Sequence, residues 1–299
     1  MNDLPSGYKS GFVAIVGAPN VGKSTLLNRM LGQKISITSR KPQTTRNRIV
    51  GVLDRPSSQM VFLDTPGIHR AGRPLNRRIV DIALAALTDV DLILVMVDAS
   101  VRDPEAEQYL LQKLVPQDTP VVLALNKVDL TVKTDLLGLI DDWSRRFDFQ
   151  AVVPISALQG TQVEDLLAAM EEALPGGPAL YPPGTLTDMP ERFIAGEMIR
   201  EKVFRLTGEE IPYSIAVTVE DFKEEKQGRL IRIHATIHVE RDSQKGIIIG
   251  KGGRKLKEIG QRAREEIERM VGVQVFLKLF VRVQKNWSQD TKALRRFGY

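Results

Sequence analysis

The residues with the most distinctive chemistry lie near the amino terminus, in a segment that fits the pattern GxxxxGK[ST]. The segment consists of Gly17, Ala18, Pro19, Asn20, Val21, Gly22, Lys23 and Ser24, and Thr25 follows it. Glycines let backbone N–H groups wrap a phosphate chain, the Lys23 ammonium neutralises phosphate charge, and the Ser24 hydroxyl is a suitable Mg²⁺ ligand. An ordinary glycine turn is the alternative for this motif taken alone, so the interpretation depends on further motifs.

A carboxylate and a glycine follow downstream, in the segment Asp64, Thr65, Pro66 and Gly67, with Ile68 next. This segment comes directly after an apolar run that is predicted to be a strand. Asp64 would therefore lie at the end of that strand, near the Mg²⁺, where the Gly67 N–H can meet a γ-phosphate. The DxxG pattern is weak by itself and gains weight from its place after the first motif.

Two more segments follow apolar strands, and together they indicate a guanine base. They are Asn126, Lys127, Val128 and Asp129, and then Ser156, Ala157 and Leu158. The Asp129 carboxylate can accept hydrogen bonds from the ring N–H and the exocyclic amine of guanine, while Lys127 lies along the base and Asn126 ties the loop together. Adenine lacks these two donors in that arrangement, and buried polar pairing rejects such analogues by factors of order 10⁴ to 10⁵. The ordered motifs therefore predict a GTP site.

The elements around these motifs alternate as expected for a parallel sheet covered by helices. Apolar, β-branched runs predict strands at residues 12–16, 60–63, 92–97, 121–125 and 152–155, and residues 48–53 are predicted to form an additional edge strand. Helical patterns lie between the strands, for example at 75–87 and 163–174. The first half of the chain is therefore predicted to be an α/β P-loop domain with a mostly parallel sheet and helices on both faces.

Residues 174–185 contain four prolines and three glycines, which do not sustain regular structure. We therefore predict three parts, namely a nucleotide-binding domain at 1–175, a linker at 176–186 and a second domain at 187–299. The second domain has a different element order, because a helix at 191–205 precedes strands at 214–220 and 229–239, two helices and a last strand at 273–283. This order predicts a small α+β unit.

Composition excludes several other classes of protein. Apolar residues make up 42% of the chain and charged residues 26%, as in soluble globular proteins, and there is no cysteine for disulfides or thiolate chemistry. The longest strongly apolar stretch, 92–97, is shorter than a bilayer span, and no signal-peptide pattern is present. We therefore expect a cytoplasmic protein. From residue 186 onward there are 23 Lys and Arg against 17 Asp and Glu, a surplus that fits a polyanionic partner for the second domain and fits an ordinary solvated surface equally well.

The second domain contains the pattern GxxG at Gly250, Lys251, Gly252 and Gly253, after an apolar turn and before a helical pattern. A KH domain clamps about four nucleotides through the backbone of such a loop. Residues 241–257 carry six Lys and Arg and one acidic residue, so positive charge and loop coincide. We therefore predict a KH-type domain that binds single-stranded RNA, with contacts from Lys245, Gly250, Lys251, Gly252, Gly253, Arg254 and Lys255. Its element order resembles that of the bacterial type of KH domain, type II.

These motifs resemble the translation-factor-related small GTPases and, within them, the bacterial Era-type family. The resemblance covers essentially all 299 residues, including the segment that contains Gln43, Thr44, Thr45 and Arg46. It implies that this segment is a mobile switch in which one threonine ligates Mg²⁺, and Thr45 is favoured with Thr44 close behind. It further implies binding of ribosomal RNA near the 3′ end of the small-subunit RNA, a role in 30S assembly, and peripheral association with the inner face of the cell membrane. A monomer is expected.

Hydrolysis is expected to be slow, because Ile68 stands where Ras-like enzymes place a water-orienting glutamine. His69 is adjacent, but a histidine in a mobile loop is more often solvated, and it is not our candidate base. In the family an asparagine at the position of Asn20 binds K⁺, which replaces the charge of an arginine finger. Asn20 matches that pattern, and K⁺ is therefore a predicted activator.

Several alternatives remain open from the sequence. A metabolic P-loop kinase and a constitutive RNA-binding protein with a vestigial nucleotide site are the rival functions, although the NKVD motif argues against a kinase. His234 and His238 share a strand face and suggest zinc only faintly. Trp287 either stacks on a base or belongs to a small core.

Overall fold

The computed structural model of the chain describes residues 5, 7–39, 41, 44–68, 74–115, 118–207 and 215–298. The described residues form two compact units. Unit 1 takes Met1–Ser36, Thr45–Gly72 and Asn76–Asp188, and unit 2 takes Ile37–Thr44, Arg73–Leu75 and Met189–Tyr299. The predicted switch residue Gln43, the histidine His69 and the predicted strand start Ser214 lie outside the described residues.

Unit 1 contains a six-stranded sheet in the spatial order β2-β3-β1-β4-β5-β6. Neighbouring strands are parallel except β2 and β3, which are antiparallel. All five predicted strands and the predicted edge strand are present, as β1 (Lys9–Gly17), β2 (Ile49–Asp54), β3 (Ser58–Asp64), β4 (Leu92–Asp98), β5 (Val121–Asn126) and β6 (Ala151–Ile155). The inner strands are buried almost throughout, which is why they read as continuous apolar runs in the sequence.

Helices connect these strands. They are α1 (Lys23–Leu31), α2 (Pro74–Ala85), α3 (Pro104–Leu114), α4 (Lys133–Arg146) and α5 (Val163–Ala173). The helix predicted at 75–87 ends at Ala85, and the buried residues Ala86 and Leu87 lie in the turn after it. Trp143 of α4 is fully buried in the core that the sheet shares with α3 and α4.

The strand order places the ends of β1, β3, β4 and β5 next to one another. The order reverses at β1, whose neighbours are β3 and β4. In open α/β sheets ligands bind at the carboxyl ends of the strands, at such a reversal. The four sequence motifs of unit 1 all follow carboxyl ends of these strands or of β6.

The predicted linker, residues 176–186, is part of unit 1. The Gln59 side-chain Oε1 accepts hydrogen bonds from the backbone N–H groups of Leu180 and Tyr181 at 2.6 and 2.8 Å. The Val52 N–H donates to the Leu186 carbonyl at 2.8 Å. Residues 176–186 are irregular, as predicted from their prolines and glycines. The hydrogen bonds above nevertheless satisfy some of their backbone N–H and carbonyl groups.

Unit 2 has the predicted order of helix, two strands, two helices and strand. Its elements are α6 (Glu191–Leu206), β7 (Ala216–Glu225), β8 (Leu230–Val239), α7 (Asp242–Ile249), α8 (Arg254–Val271), β9 (Gln274–Val283) and, beyond the prediction, α9 (Thr291–Arg296). The sheet order is β7-β8-β9, with β7 antiparallel and β9 parallel to β8. The predicted end of β7 at Glu220 is wrong, because a bulge after Val219 lets the acidic run that follows continue the pairing as far as Glu225.

The helices α6 and α8 pack on one face of this sheet. Ile259, Ala263 and Ile267 are fully buried at four-residue spacing along α8, which places them on one helix face. They join the inward side chains of β8 and β9 in a single core. This core holds the GxxG loop, which joins α7 to α8, at one end of α8.

Candidate functional site

The phosphate loop runs between β1 and α1, and its glycines are required by close backbone approach. A Cβ on Gly22 would collide with the Asn126 side chain, and Gly22 has a φ of +107°. The loop holds Lys23 at its centre, where Nζ donates to the carbonyls of Gly17 and Ala18 at 3.0 and 2.9 Å. The ammonium is therefore poised where the β- and γ-phosphates of a nucleotide would lie.

The Lys23 side chain is buried, and burial lowers its pKa in the absence of a bound anion. The side chain is only 7% exposed. Burial lowers the pKa of Lys23 to about 8, although the nearby Asp64 carboxylate acts in the opposite direction. A phosphate bound beside Lys23 would favour its charged form and raise the pKa again.

Hydroxyl and carboxylate oxygens converge beside the loop. Ser24 Oγ donates to Asp64 Oδ2 at 2.7 Å and lies 2.9 Å from Thr45 Oγ1. Ser36 Oγ donates to the same Asp64 oxygen at 2.8 Å. The other oxygen, Asp64 Oδ1, is buried without a hydrogen-bond partner among the described residues.

This arrangement fits a hard divalent cation. Burial raises the pKa of Asp64, and the hydrogen bonds from Ser24 and Ser36 offset part of that effect. A buried carboxylate with one unsatisfied oxygen is costly unless a cation or hydrogen bond compensates it. The donor set of hydroxyl and carboxylate oxygens is the one that Mg²⁺ prefers. Ser36 had no motif to indicate it, because its contact with Asp64 arises only from the fold.

The structure separates the two candidate switch threonines. Thr45 contacts Ser24, as described above, and belongs to unit 1. Thr44 belongs to unit 2, and its Oγ1 donates to the Lys41 carbonyl at 2.7 Å. Of the two, only Thr45 is brought to the oxygen cluster.

The DTPG segment is buried and fixed against β1. Thr65 Oγ1 donates to the Ile15 carbonyl at 2.7 Å, and a Cβ on Gly67 would come within 2.7 Å of the Pro19 Cα. The Ile68 side chain is only 2% exposed and packs in the core, while its N–H donates to the Gly17 carbonyl at 3.0 Å. Ile68 therefore offers no side-chain group to an attacking water.

Asn126 ties two loops together. It is 3% exposed, its Nδ2 donates to the Val21 carbonyl at 2.7 Å, and its Oδ1 accepts from the Ala157 N–H at 2.9 Å. One side chain thus joins the phosphate loop to the segment that contains Ser156, Ala157 and Leu158. This is the tying role that the sequence predicted for Asn126.

Lys127 and Asp129 follow on the rim of the same site. Lys127 has a φ of +68° and its Nζ contacts Asp98 Oδ2 at 2.5 Å. Asp129 lies in a short 3₁₀ turn, Val128–Leu130, with its side chain exposed. The predicted guanine-binding residues are therefore side by side. Asp98 was missed by sequence reasoning, and the only signal for it was a carboxylate at the end of β4.

Arg29 is a second residue that sequence reasoning missed. Its Nε donates to the Ala157 carbonyl at 3.3 Å, and its Nη2 donates to the Leu158 carbonyl. Ser156 is fully buried, whereas Leu158 is 70% exposed beside it. Arg29 thus fixes the backbone of this loop from α1.

In unit 2 the GxxG loop presents glycine backbone and cations together. Gly250 has a φ of +70°, and a Cβ there would come within 2.8 Å of the Lys255 Cβ. Gly252 and Gly253 also have positive φ but face open space. The side chains of Lys251 and Arg254 are exposed. The loop therefore offers backbone N–H groups and positive charge without bulky side chains at its tip.

A groove of about 560 Å³ begins at this loop. One wall is α8, and the other is the free edge of β9. Its lining residues are Gly253, Leu256, Lys257, Gly260, Gln261, Arg264, Leu277, Lys278 and Leu279. A KH domain holds its single strand in a groove that starts at the GxxG loop, and the edge of β9 offers backbone groups to bases lying there.

Comparisons with known proteins agree with both domains. Residues 12–127 match the model of the "50S ribosome-binding GTPase" family, and residues 210–288 match the KH domain model. GTPase Era of Geobacter metallireducens is 54% identical over 299 residues, covering all of both chains, and GTPase Era of Geotalea uraniireducens is 54% identical over 98% of each. The chain belongs to the Era family of GTPases.

Solved structures of Era have the same fold as this chain. A crystal structure of Era in complex with MgGDPNP and nucleotides 1506–1542 of 16S ribosomal RNA has a TM-score of 0.94 at 42% identity, covering 98% of this chain and 99% of that one. An Aquifex aeolicus Era variant bound to GDP and AlF₄⁻ also has a TM-score of 0.94 at 42% identity, with 97% and 99% covered. The chain is therefore a GTPase with a P-loop domain and a carboxyl-terminal KH domain, and membership of this family argues against the metabolic kinase alternative.

The remaining candidates in the KH domain of this Era-family chain have structural roles. Trp287 is fully buried and packs edge-on against Phe297, so it is a core residue rather than a base-stacking one. His238 Nε2 lies 2.8 Å from Thr218 Oγ1, and burial lowers the pKa of His238 to about 4. Within the described ranges, no group of three or more His, Cys, Asp and Glu is placed to hold a metal ion. In the same ranges no helix is long and apolar enough to span a bilayer.

Proposed function

We propose that this chain is a Mg²⁺-dependent GTP switch that binds single-stranded RNA of the small ribosomal subunit, near the 3′ end, and assists 30S assembly. The observation that carries the proposal is the presence, in one chain, of a guanine-nucleotide site in unit 1 and a GxxG groove in unit 2. The Era structure with bound 16S ribosomal RNA nucleotides supports the choice of RNA.

Mg²⁺ would be held at the oxygen cluster by Ser24 and Thr45, with Asp64 acting through a bound water. When bound, the ion neutralises charge on the β- and γ-phosphates. Lys23 would bind the same phosphates, and the Gly67 N–H would contact the γ-phosphate. Loss of the γ-phosphate removes that last contact and lets the segment around Thr45 change its state.

Hydrolysis in this site depends on positioning rather than on a side-chain base. Ile68 is turned into the core, so orientation of the attacking water falls to backbone groups. Asn20, which is exposed at the rim of the phosphate loop with a φ of +64°, is our proposed K⁺ ligand. A monovalent cation there would supply the positive charge that an arginine finger supplies elsewhere.

RNA would be bound by the GxxG loop and the groove. The loop backbone and Lys251 contact phosphates, Arg254 and Lys255 add charge at the start of α8, and Lys245 lies on the preceding helix. The groove between α8 and β9 then holds the bases. We do not extend this proposal to duplex RNA, because proteins recognise a duplex through contacts across two successive minor grooves.

The test measures RNA affinity and phosphate release in three nucleotide states. The probe is an RNA with the sequence of nucleotides 1506–1542 of 16S ribosomal RNA, offered to protein with GDPNP and Mg²⁺, with GDP, or without nucleotide. We expect different affinities in the GDPNP and GDP states, and transfer of the γ-phosphate to water. Equal affinities in all three states would leave RNA binding intact but contradict the switch and favour a constitutive RNA-binding protein.

Two further properties complete the proposal. The family resemblance favours a monomer in the cytoplasm, with peripheral association at the inner face of the cell membrane. Flotation of the purified protein with vesicles of anionic phospholipids tests the membrane association. Recovery of the protein only in the bottom fraction would contradict direct membrane binding.

A further inference from the structure

The outer face of the KH sheet, opposite α6 and α8, carries exposed aromatic residues. The odd-numbered residues of β9 from Val275 to Val283 face the core, and the even-numbered ones point outward. Phe276 is 52% exposed and Phe280 is 46% exposed. A lone exposed apolar side chain is ordinary on a folded surface, whereas a contiguous exposed patch marks a binding site. We call the four outward residues Phe276, Lys278, Phe280 and Arg282 the β9 ladder.

The ladder alternates aromatic rings and cations. Lys278 Nζ lies 5.1 Å from the centroid of the Phe280 ring, which is a cation–π contact. The ladder is flanked on β8 by Arg232 beside Phe276 and by His234 beside Lys278. Aromatic rings can stack on bases and cations can contact phosphates, so the ladder offers both kinds of contact along one line.

Charge is segregated across the sheet. Strands β8 and β9 contain no Asp or Glu at all, whereas β7 contains Glu220, Asp221, Glu224 and Glu225. Lys223 and Arg232 form ion pairs with acidic residues of β7, and no ion pair is recorded for Lys278 or Arg282 within the described parts of the chain. The β9 side of the face therefore keeps an unbalanced positive charge, which favours an anionic partner over an ordinary apolar protein surface.

The ladder connects with the groove proposed for RNA. An open cavity of about 1030 Å³ adjoins the groove, since Arg264 lines both. The cavity extends to Arg232 and Phe276 at the start of the ladder. A strand that leaves the groove past Arg264 thus reaches Phe276 around the end of β9.

Only part of the outer face is free. At its far end Phe297, just after α9, packs against His238 with ring centroids 4.6 Å apart, and the buried Trp287 lies behind it. The uncovered part contains Phe276 and Phe280, which are four residues and so roughly 13 Å apart along the strand. Stacked nucleotides rise only about 3.4 Å each, so the two rings would take bases that are not neighbours in the RNA.

We propose that the β9 ladder is a second RNA-binding surface, on which unpaired bases stack on Phe276 and Phe280 while Arg282 contacts phosphate. This inference rests on the proposed function, because the same RNA that enters the GxxG groove would continue onto the ladder. Its role is to extend the contact beyond the nucleotides that the groove holds.

The experiment compares two RNAs and two sites. The long RNA has the sequence of nucleotides 1506–1542 of 16S ribosomal RNA, and the short RNA is its smallest fragment whose binding is lost in the double variant Lys251→Asp/Gly252→Asp. Phe276→Ala/Phe280→Ala should weaken binding of the long RNA by about tenfold or more, because each base stacked on an aromatic ring contributes substantially. Binding of the short RNA should not change.

Two matched variants separate stacking from other causes. Phe276→Tyr/Phe280→Tyr keeps the rings and should keep affinity for the long RNA, whereas Phe276→Leu/Phe280→Leu keeps apolar bulk and should lose it. Arg282→Ala, which does not line the groove, should reduce the salt dependence of long-RNA binding by about 0.7 in the slope of log K against log salt. Lys278 is left unchanged because it lines the groove as well.

The outcomes are distinguishable. Full affinity of a folded Phe276→Ala/Phe280→Ala protein for the long RNA would overturn the ladder. Full affinity of the leucine pair would overturn it as well, because it would show that base stacking on aromatic rings is not required. Equal losses for both RNAs would place the phenylalanines within the groove contact and also overturn a separate surface. Unchanged RNA binding in Lys251→Asp/Gly252→Asp would instead contradict the groove and hence the proposed function.

Discussion

The Lys127 ammonium lies 2.5 Å from the Asp98 carboxylate, at the ends of the adjacent parallel strands β5 and β4. Burial acts to raise the pKa of Asp98, but hydrogen bonds from Lys127 and Ser100 outweigh it and hold that pKa below its usual value. The carboxylate is therefore ionised at neutral pH and fixes the Lys127 side chain along the position of the base.

The first prediction concerns this pair. Asp98→Asn should weaken GDP and GTP binding equally, by about threefold to tenfold, because Lys127 loses its anchor while every phosphate contact remains. Equilibrium titration with fluorescent nucleotides measures both affinities. Asp142→Asn is the matched control, since Asp142 also forms ion pairs with basic side chains, Arg102 and Arg146, but belongs to α4 and to none of the four motifs. Equal affinities in wild type and Asp98→Asn would show that the ion pair does not position Lys127.

The second prediction concerns the choice of base. Asp129→Asn should weaken GTP binding strongly, because the amide replaces an acceptor of two guanine hydrogen bonds with a mixed donor and acceptor. The same variant should bind xanthosine triphosphate better than the wild type does, since the amide N–H₂ can pair with the extra carbonyl. Competition between the two nucleotides measures the preference. An unchanged preference would place the base-reading residue elsewhere.

The third prediction follows from the buried Lys23. Its pKa of about 8 in the free protein means that a large fraction is neutral at pH 8.5, and bound phosphates should restore the charge. Nucleotide binding should therefore take up a proton at pH 8.5, and affinity should fall as pH rises above about 8. Calorimetry in buffers of different ionisation enthalpy measures the uptake. If the binding enthalpy at pH 8.5 is the same in all buffers, no proton is taken up on nucleotide binding. That result would contradict the predicted change in the charge of Lys23.

The fourth prediction concerns the monovalent cation. GTP turnover should be faster in K⁺ than in Na⁺ at matched ionic strength, and Asn20→Ala should remove most of that difference while leaving nucleotide affinity nearly unchanged. Phosphate release measured in both salts gives the ratio. Equal rates for the wild-type protein in the two salts would exclude a K⁺ role for Asn20.

The sequence predicts the site residues that belong to motifs, because these residues follow the ends of predicted strands and their position is therefore known. Asn126 is an example, since a side chain directly after an apolar strand can be placed near the ligand before any contact is known. Thr45 was indicated instead by the resemblance to the Era-type family. Ser36, Asp98 and Arg29 could not be found in this way. Each acts through a neighbour that is distant in sequence, and no spacing marks such a contact.

The fold, like the site, has parts that the sequence predicts and parts that it does not. The strands of unit 1 were predictable because buried parallel strands are long apolar runs. The end of β7 was not, since the acidic run after Val219 resembles a loop and is held in the sheet only by its pairing with β8. The outward phenylalanines of β9 were equally hidden, because alternation alone does not reveal which face of a strand is covered.

The central claim is that one chain binds RNA through the GxxG loop and hydrolyses GTP through a separate site. The variant Lys251→Asp/Gly252→Asp places two carboxylates where phosphate would lie. It should fold, because Gly252 faces open space and aspartate tolerates its φ of +61° better than most residues. The matched control is Gln227→Asp/Lys292→Asp, which makes the same change in net charge at exposed residues that do not line the groove.

RNA affinity and GTP turnover should be measured on the same preparation of each variant, with circular dichroism to confirm folding. We expect Lys251→Asp/Gly252→Asp to lose about a hundredfold or more in RNA affinity and to keep basal GTP turnover, because two repulsive contacts replace attractive ones. The control variant should stay near the wild type in both measurements. A folded Lys251→Asp/Gly252→Asp protein that binds RNA as tightly as the control would contradict the account.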